Sequence, residues 1–471
     1  MSVAPATSLP SAGTLLALAA GAIVVVSLLA PLMRRHPEAF PLLAVVTLPF
    51  RVPIAADGRT VNLLIPLYLV VAAGVVAHLL PRLLGWEDRL GAPEAQADEP
   101  SAPQARDART SGSAERAVAW LPWLLLAVVA LYVLQIAYSP DRAKAAENVA
   151  FFYLPFGLMF VLLGQVRWTQ RLVVHCTVAL VAIAVLLAGV GFVEYERKSL
   201  FLNPKLVAAN QYDNFFRVNS VFFDPSIYGR FLVLVMIAVT TSVLWGGRRR
   251  AKLGAIVLLW LLAGLVTSFS QSSIAALLLG LAVLAAWRWS LRASAVAAGV
   301  LLALAVVVVL LAPEGSHFGL GGKGGSANNA TTGRVGLIEG GLELFADRPL
   351  QGYGSGSFET EFKRHSAAAQ ATTQNATSAS HTIPVTIAAE QGVIGLALYA
   401  VLICAALLAL FDGAGRSPPR IAIAAAFAAL VLHTWTYADF LEDPFTWALL
   451  AVGLALARRP PAAPAAPPTT V

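Results

Sequence analysis

The chain repeats one pattern from end to end: an apolar run long enough to cross a bilayer, with a short basic cluster at every second connection. A helix rises about 1.5 Å per residue, so roughly 20 apolar residues traverse a hydrocarbon core of about 30 Å. Thirteen runs qualify, over roughly 14–33, 37–53, 60–80, 118–138, 148–165, 172–193, 227–246, 253–269, 273–288, 293–312, 382–410, 421–437 and 444–457. The second and the last are short, so the expectation is about 12–13 spans. In lipid every backbone polar group must be satisfied internally. The expected fold is therefore all-α, a polytopic transmembrane helical bundle. Composition agrees, with 58% hydrophobic and 13% charged residues, against about 25% charged in a soluble domain.

Arg34 and Arg35, Arg82, Arg167 and Arg171, Arg248 to Arg250 with Lys252, Arg288 and Arg292, Arg416 and Arg420, and Arg458 with Arg459 mark alternate connections. Positive-inside bias puts these in the cytoplasm, the N-terminus outside and the C-terminus inside. The first run, Thr14 to Met33, follows an uncharged stretch with Pro5 and Pro10 and lacks a basic start, so it reads as a retained helix. The net charge of +7 is dispersed over helix ends and does not point to nucleic acid. Cys176 and Cys404 both lie in apolar runs, which leaves no disulfide framework or metal cluster.

The pattern divides the chain into N-terminal transmembrane helices (1–84), a disordered cytoplasmic linker (85–117) and central transmembrane helices (118–312) that include an outer loop, 194–226. A large extracytoplasmic loop (313–381), C-terminal transmembrane helices (382–459) and a disordered tail (460–471) follow. Loops this long in a compact protein are functional or disordered. In the large loop, Gly315 to Ala330 is Gly-rich, and then Val335, Leu337, Ile338, Leu342, Leu344 and Phe345 recur at near-helical spacing behind Thr331-Thr332. That spacing predicts a short amphipathic helix at the membrane surface, ended by Asp347-Arg348-Pro349. A Gly352-Tyr353-Gly354-Ser355-Gly356 turn follows, where glycine permits backbone that exposes successive N–H groups.

Several residues on the loop side carry chemistry. His381 stands where the large loop re-enters the membrane at a helix start, whose positive end disfavours imidazolium and favours a proton-accepting ring. Its bland alternative, a polar interface cap, weighs about as much. Arg217 and Arg230 flank Phe222-Phe223-Asp224-Pro225, and Arg334 and Arg348 bracket the amphipathic helix. Guanidinium outside the cytoplasm suits phosphate, or else snorkels to lipid headgroups; Arg348 fits the latter, or a salt bridge to Asp347. Glu390 falls half a turn away from His381 on a straight helix, which argues against a direct pair. The Ser268 to Ser273 knot, with Gln271 in it, reads either as a tight turn or as partners for sugar hydroxyls. Asp439, Glu442 and Asp443 pair with the arginines or stay solvated, the commoner case. No P-loop, dinucleotide fingerprint or zinc-type cluster occurs.

Three blocks resemble the family of O-antigen ligases and Wzy-type O-antigen polymerases. They are Arg217-Val218-Asn219-Ser220-Val221-Phe222-Phe223-Asp224-Pro225-Ser226; Ser268 through Arg334 to Arg348-Pro349-Leu350-Gln351-Gly352-Tyr353-Gly354-Ser355-Gly356-Ser357-Phe358; and His381 to Gly392, eleven residues apart. Together they run from Arg217 to Ile394. Gln271 stands where the family often has Arg, Thr382 where it has Asn, and Ser226 where Asn follows Pro. The resemblance implies a metal-independent membrane glycosyltransferase with no cofactor. It would move a glycan from a polyprenyl-diphosphate carrier such as undecaprenyl diphosphate to a glycan or lipid acceptor hydroxyl. The transfer would occur on the outer face of the cytoplasmic (inner) membrane, in cell-envelope biogenesis. His381 is then the general base and Arg217 and Arg334 the diphosphate ligands. Gly352, Gly354 and Gly356 shape the site, with Arg230, Gln271 and Arg348 as further substrate contacts. The rival expectation is a polytopic transporter of small solutes or anions, which predicts charge at the bilayer midplane. A non-catalytic scaffold leaves the loop motifs unexplained.

Overall fold

A computed structural model describes residues 12–56, 59–85, 112–201, 216–289, 292, 334–365 and 380–458. Helices dominate: α1 Ala12–Arg35, α2 Ala39–Thr47, α3 Ile65–Leu83, α4 Gly112–Gln135, α5 Arg142–Gln165, α6 Gln170–Arg197 and α7 Pro225–Trp245. Then come α8 Arg248–Thr267, α9 Gln271–Arg288, α10 Arg334–Asp347, α11 Phe358–His365, α12 Ile383–Phe411, α13 Pro418–Trp435 and α14 Pro444–Ala457. Among the described residues, ten helices are long and apolar enough to cross a membrane, and α14 is a shorter apolar helix. The protein is an all-α, multi-pass membrane bundle. The one described departure is an antiparallel hairpin of β1 Val52–Ala56 and β2 Arg59–Leu63.

That hairpin corrects one expected span. Residues 37–53 form only the nine-residue α2, about 13 Å long at helical rise, and then turn into β1. Pro53 and the β-branched Val52 and Ile54 favour extended backbone there. Two boundaries also move. Helix α4 begins at Gly112, inside the expected 85–117 linker, and α5 begins at Arg142. The rest of the linker (86–111), the expected 293–312 span, the Gly-rich 315–330 segment and the 460–471 tail lie outside the described residues.

The basic clusters gather at one end of the bundle. Arg34 donates to Ala77 O at 3.1 Å near the end of α3, and Arg82 bonds Gln165 at the end of α5. Arg288 donates to Leu244 O at 3.3 Å beside the end of α7, and Arg420 to Asp412 O at 2.5 Å just past α12. Arg288 and Arg420 thus cap carbonyls left open where a neighbouring helix stops, whereas Arg82 meets a side-chain amide oxygen.

Two apolar cores fill the bundle. One joins α1, α3, α4 and α5 to α12, α13 and α14 around Phe156, Leu402, Phe427 and Trp447. The other wraps α6, α8, α9 and α13 around α7 through Tyr228, Phe231, Ile237 and Leu265. Helix α7 is the innermost, with 67% of its spanning window buried. At the loop end a third, small core joins Leu337 and Leu344 of α10, Tyr353, Phe358 and Phe362 to Ala389 of α12. Leu337 and Leu344 of the α10 stripe are thus buried against α11 and α12, while Leu342 stays 49% exposed.

Candidate active site

The loop end is built from short segments pinned to helix termini. Buried Glu194, one turn before the end of α6, accepts from Asn219 N at 3.2 Å and Ser220 N at 2.7 Å. Val218 N donates to Thr267 O at 3.2 Å. These bonds clamp the 217–220 segment between α6 and α8, and Arg217 Nε donates to Ser268 O at 3.3 Å. Asp224 then caps α7, its Oδ1 accepting from Ser226 N at 2.6 Å, with Pro225 at the first helical position, where it needs no N–H.

The serines between α8 and α9 are spent on the protein. Ser268 Oγ bonds Leu265 O at 2.6 Å, Ser270 Oγ meets Ser273 Oγ at 2.8 Å, and Ser272 Oγ donates to Thr436 O at 3.0 Å. Ser273 Oγ lies 3.1 Å from Nε2 of the buried His433 on α13. The knot is a load of internal bonds, which is the tight-turn alternative; Gln271 beside it is exposed.

His381 occupies the turn before α12 with φ 55°, a left-handed conformation uncommon outside glycine. The turn is locked by Ser380, whose Oγ donates to Thr382 O at 2.7 Å and meets Thr386 Oγ1 at 2.9 Å. The imidazole packs on the ring of Tyr437, centroid to centroid 5.6 Å and tilted by 39°. His433 meets the same tyrosine edge-on at 5.7 Å. The Tyr437 hydroxyl faces the Asp224 carboxylate, and burial, followed by the Asp224 charge, holds its pKa well above the ordinary phenol range.

Arg230 is not at the loop surface. Its side chain is 2% exposed and Nε lies 2.8 Å from Asp443 Oδ2. One terminal nitrogen donates to Ala438 O at 3.0 Å and Asp439 O at 3.2 Å. The expected substrate contact is thereby corrected: this guanidinium is occupied in holding the 438–443 connection. The acidic group also departs from the solvated expectation. Burial raises the Asp443 carboxyl despite the opposing Arg230 charge, and Asp443 Oδ1 caps α14 at Phe445 N, 2.8 Å. Burial, then the Asp439 charge, pushes Glu442 up to about 8.

The glycine turn braces a break in the helix that follows His381. Helix α12 is broken at Gly392 (φ 64°, ψ −161°), and the 349–354 strap enters the break. Tyr353 N and Gly354 N donate to Ala389 O (3.1 Å) and Glu390 O (2.6 Å), while Val393 N donates to Pro349 O (2.7 Å). The break's open carbonyls and amides are thus satisfied from one strap. Gly352 and Gly354 have φ of 64° and 98°. A Cβ on Gly352 would run into the Glu390 carbonyl, and one on Gly354 would lie 2.8 Å from Ser139 Cα. The turn's N–H groups serve the helix. Gly356 (φ 72°) continues the turn against Lys144. Glu390 does not pair with His381; it accepts from Phe358 N at 3.0 Å.

Arg348 stacks over Tyr353 at 4.3 Å, whose hydroxyl bonds Asp347. Arg334 opens α10, but its side chain lies outside the described ones. The structure therefore joins His381, through Tyr437, to Asp224, and through His433 and the serine turn to Arg217. It draws Arg230 and the glycines into the scaffold. Tyr437 and His433 had no sequence signal: each is an ordinary helix-end aromatic until the fold brings it to His381. At this end Asp224 caps α7, Arg230 lies in its second turn, and Asp439, Glu442 and Asp443 precede α14. Among the described residues no group of three or more His, Cys, Asp or Glu is placed to hold a metal ion.

No curated protein matches the chain. A family model described as O-Antigen ligase (Wzy_C) matches residues 256–400, a stretch that contains Arg334, the glycine turn and His381, with Arg217 and Tyr437 outside it. Over that stretch the chain is similar to the O-antigen ligase family of membrane glycosyl-transferring enzymes.

Proposed function

We propose that the protein transfers a glycan from a polyprenyl-diphosphate carrier to an acceptor hydroxyl at the loop end of the bundle, on the outer face of the cytoplasmic membrane. The observation that carries this is His381, held in the O-antigen ligase domain on one hydrogen-bonded and ring-packed network with Arg217. The gathering of arginines at the opposite end supports the orientation, since basic ends stay in the cytoplasm.

The imidazole takes the acceptor's proton as the acceptor oxygen bonds to the anomeric carbon. The bond from that carbon to the diphosphate breaks, and the leaving diphosphate keeps the electron pair. Arg217 and Arg334 answer its charge with bidentate donors, so the step needs no bound cation. The test is transfer by purified protein given a polyprenyl-diphosphate oligosaccharide and an acceptor glycan. His381→Ala is expected to lose at least a hundredfold in kcat, in line with removal of a general base. Undiminished turnover by that variant removes the mechanism.

A further inference from the structure

The aromatic contact beside His381 has more holding it than packing requires. Tyr437 belongs to the connection between α13 and α14, 56 residues past the histidine. The carbonyl before it is held by Ser272 Oγ at 3.0 Å and the one after it by Arg230 at 3.0 Å. His433, itself bonded to Ser273 Oγ at 3.1 Å, walls the ring on a second side. The Tyr437 hydroxyl lies within the electrostatic reach of Asp224, the residue that caps α7 near the end of the Arg217 block. The ring is thus fixed by backbone on both sides and by an edge-on neighbour. His381, by contrast, stands on a turn of uncommon backbone conformation, where the direction of the side chain depends on what it packs against.

We propose that Tyr437 is the positioning residue for His381, and that its backbone anchors to Ser272 and Arg230 and its contact with His433 set the histidine in register with the serine turn that holds Arg217. The proposal rests on the glycan-transfer function above, in which the base and the diphosphate site must face one glycosidic carbon. Tyr437 acts through His381 rather than on the substrate. A phenylalanine there keeps the anchors and the ring contact and loses only the hydroxyl that faces Asp224. Misplacing a reacting group by about 1 Å costs on the order of a hundredfold in rate.

Two variants separate the ring from its tip. Tyr437→Leu is expected to lower kcat on the order of a hundredfold, with KM for the polyprenyl-diphosphate glycan within about twofold of wild type. Tyr437→Phe is expected to recover most of that, staying roughly tenfold below wild type. A second measurement needs no turnover: the rate at which diethyl pyrocarbonate modifies His381, followed by peptide mass spectrometry, rises in Tyr437→Leu. The proposal is overturned by wild-type kcat in Tyr437→Leu, or by loss appearing in KM with His381 modified at the wild-type rate. If His381→Ala itself turns over normally, the glycan-transfer role of His381 falls, while its modification rate still decides whether Tyr437 holds it. Tyr437→Phe conserves volume, so a folding failure of the leucine variant leaves kcat and modification measurable.

Discussion

Asp443 Oδ2 and Arg230 Nε lie 2.8 Å apart, and both side chains are 2% exposed. The pair ties the innermost helix to the last connection of the bundle. Breaking a buried ion pair from one side leaves an uncompensated charge and costs about 3–5 kcal/mol. Arg230→Met is expected to lose stability of that order in thermal unfolding in detergent, and Arg230→Met with Asp443→Leu to regain most of it. An equal loss in the double variant would show that the pair matters for more than its charges.

Glu442 gives the stability a pH dependence of known sign. Its folded carboxyl is raised from 4.5 to about 8 by burial and by Asp439, so between those values the folded state binds more protons than the unfolded one. Stability then falls as pH rises through that window. The melting temperature of wild type should decline between about pH 5 and 8, and Glu442→Gln should flatten that decline. A slope unchanged by the substitution contradicts the assignment.

The strap through α12 depends on glycine at its joints. Gly392→Ala and Gly352→Ala each force a Cβ against backbone at positive φ, which costs on the order of 1–3 kcal/mol for the conformation alone. Hydrogen exchange should report it locally: the amides of Tyr353, Gly354 and Val393 lose protection in both variants, while those of α7 keep theirs.

Arg217→Lys tests whether a fork or a point charge is required. Lysine keeps the charge and loses the planar pair of donors, so transfer is expected to fall at least tenfold. Equal activity in the lysine protein would argue for simple charge attraction. Raising the salt concentration should then weaken donor binding in the lysine protein more than in wild type.

Much of this architecture is written locally. The spacing of apolar runs and the alternation of arginine clusters suffice for the bundle, and Val335 to Phe345 suffices for α10, because helical periodicity is a short-range property. The site is legible only in part for the opposite reason. Arg230 looks like a phosphate ligand until Asp443, over two hundred residues away, is brought beside it. The glycines at 352, 354 and 392 announce unusual backbone, but not that they meet one another. Tyr437 carries no motif at all. What sequence spacing misses here is pairing between distant segments, which only the packing of α7, α12 and α13 supplies.

The break at Gly392 also sets how high His381 stands. Arg420, near the start of α13, bonds Asp412 O just past the end of α12, so the two helices share a floor. From that floor a straight helix would lift His381 by about 46 Å at 1.5 Å per residue, whereas Tyr437, past the top of α13, stands only about 29 Å up. Yet the two rings are 5.6 Å apart. The upper arm of α12 must therefore lean over at Gly392 and run across the bundle. A single glycine thus brings His381 down to the level of Tyr437, where the base of the proposed transfer would have to meet its substrate.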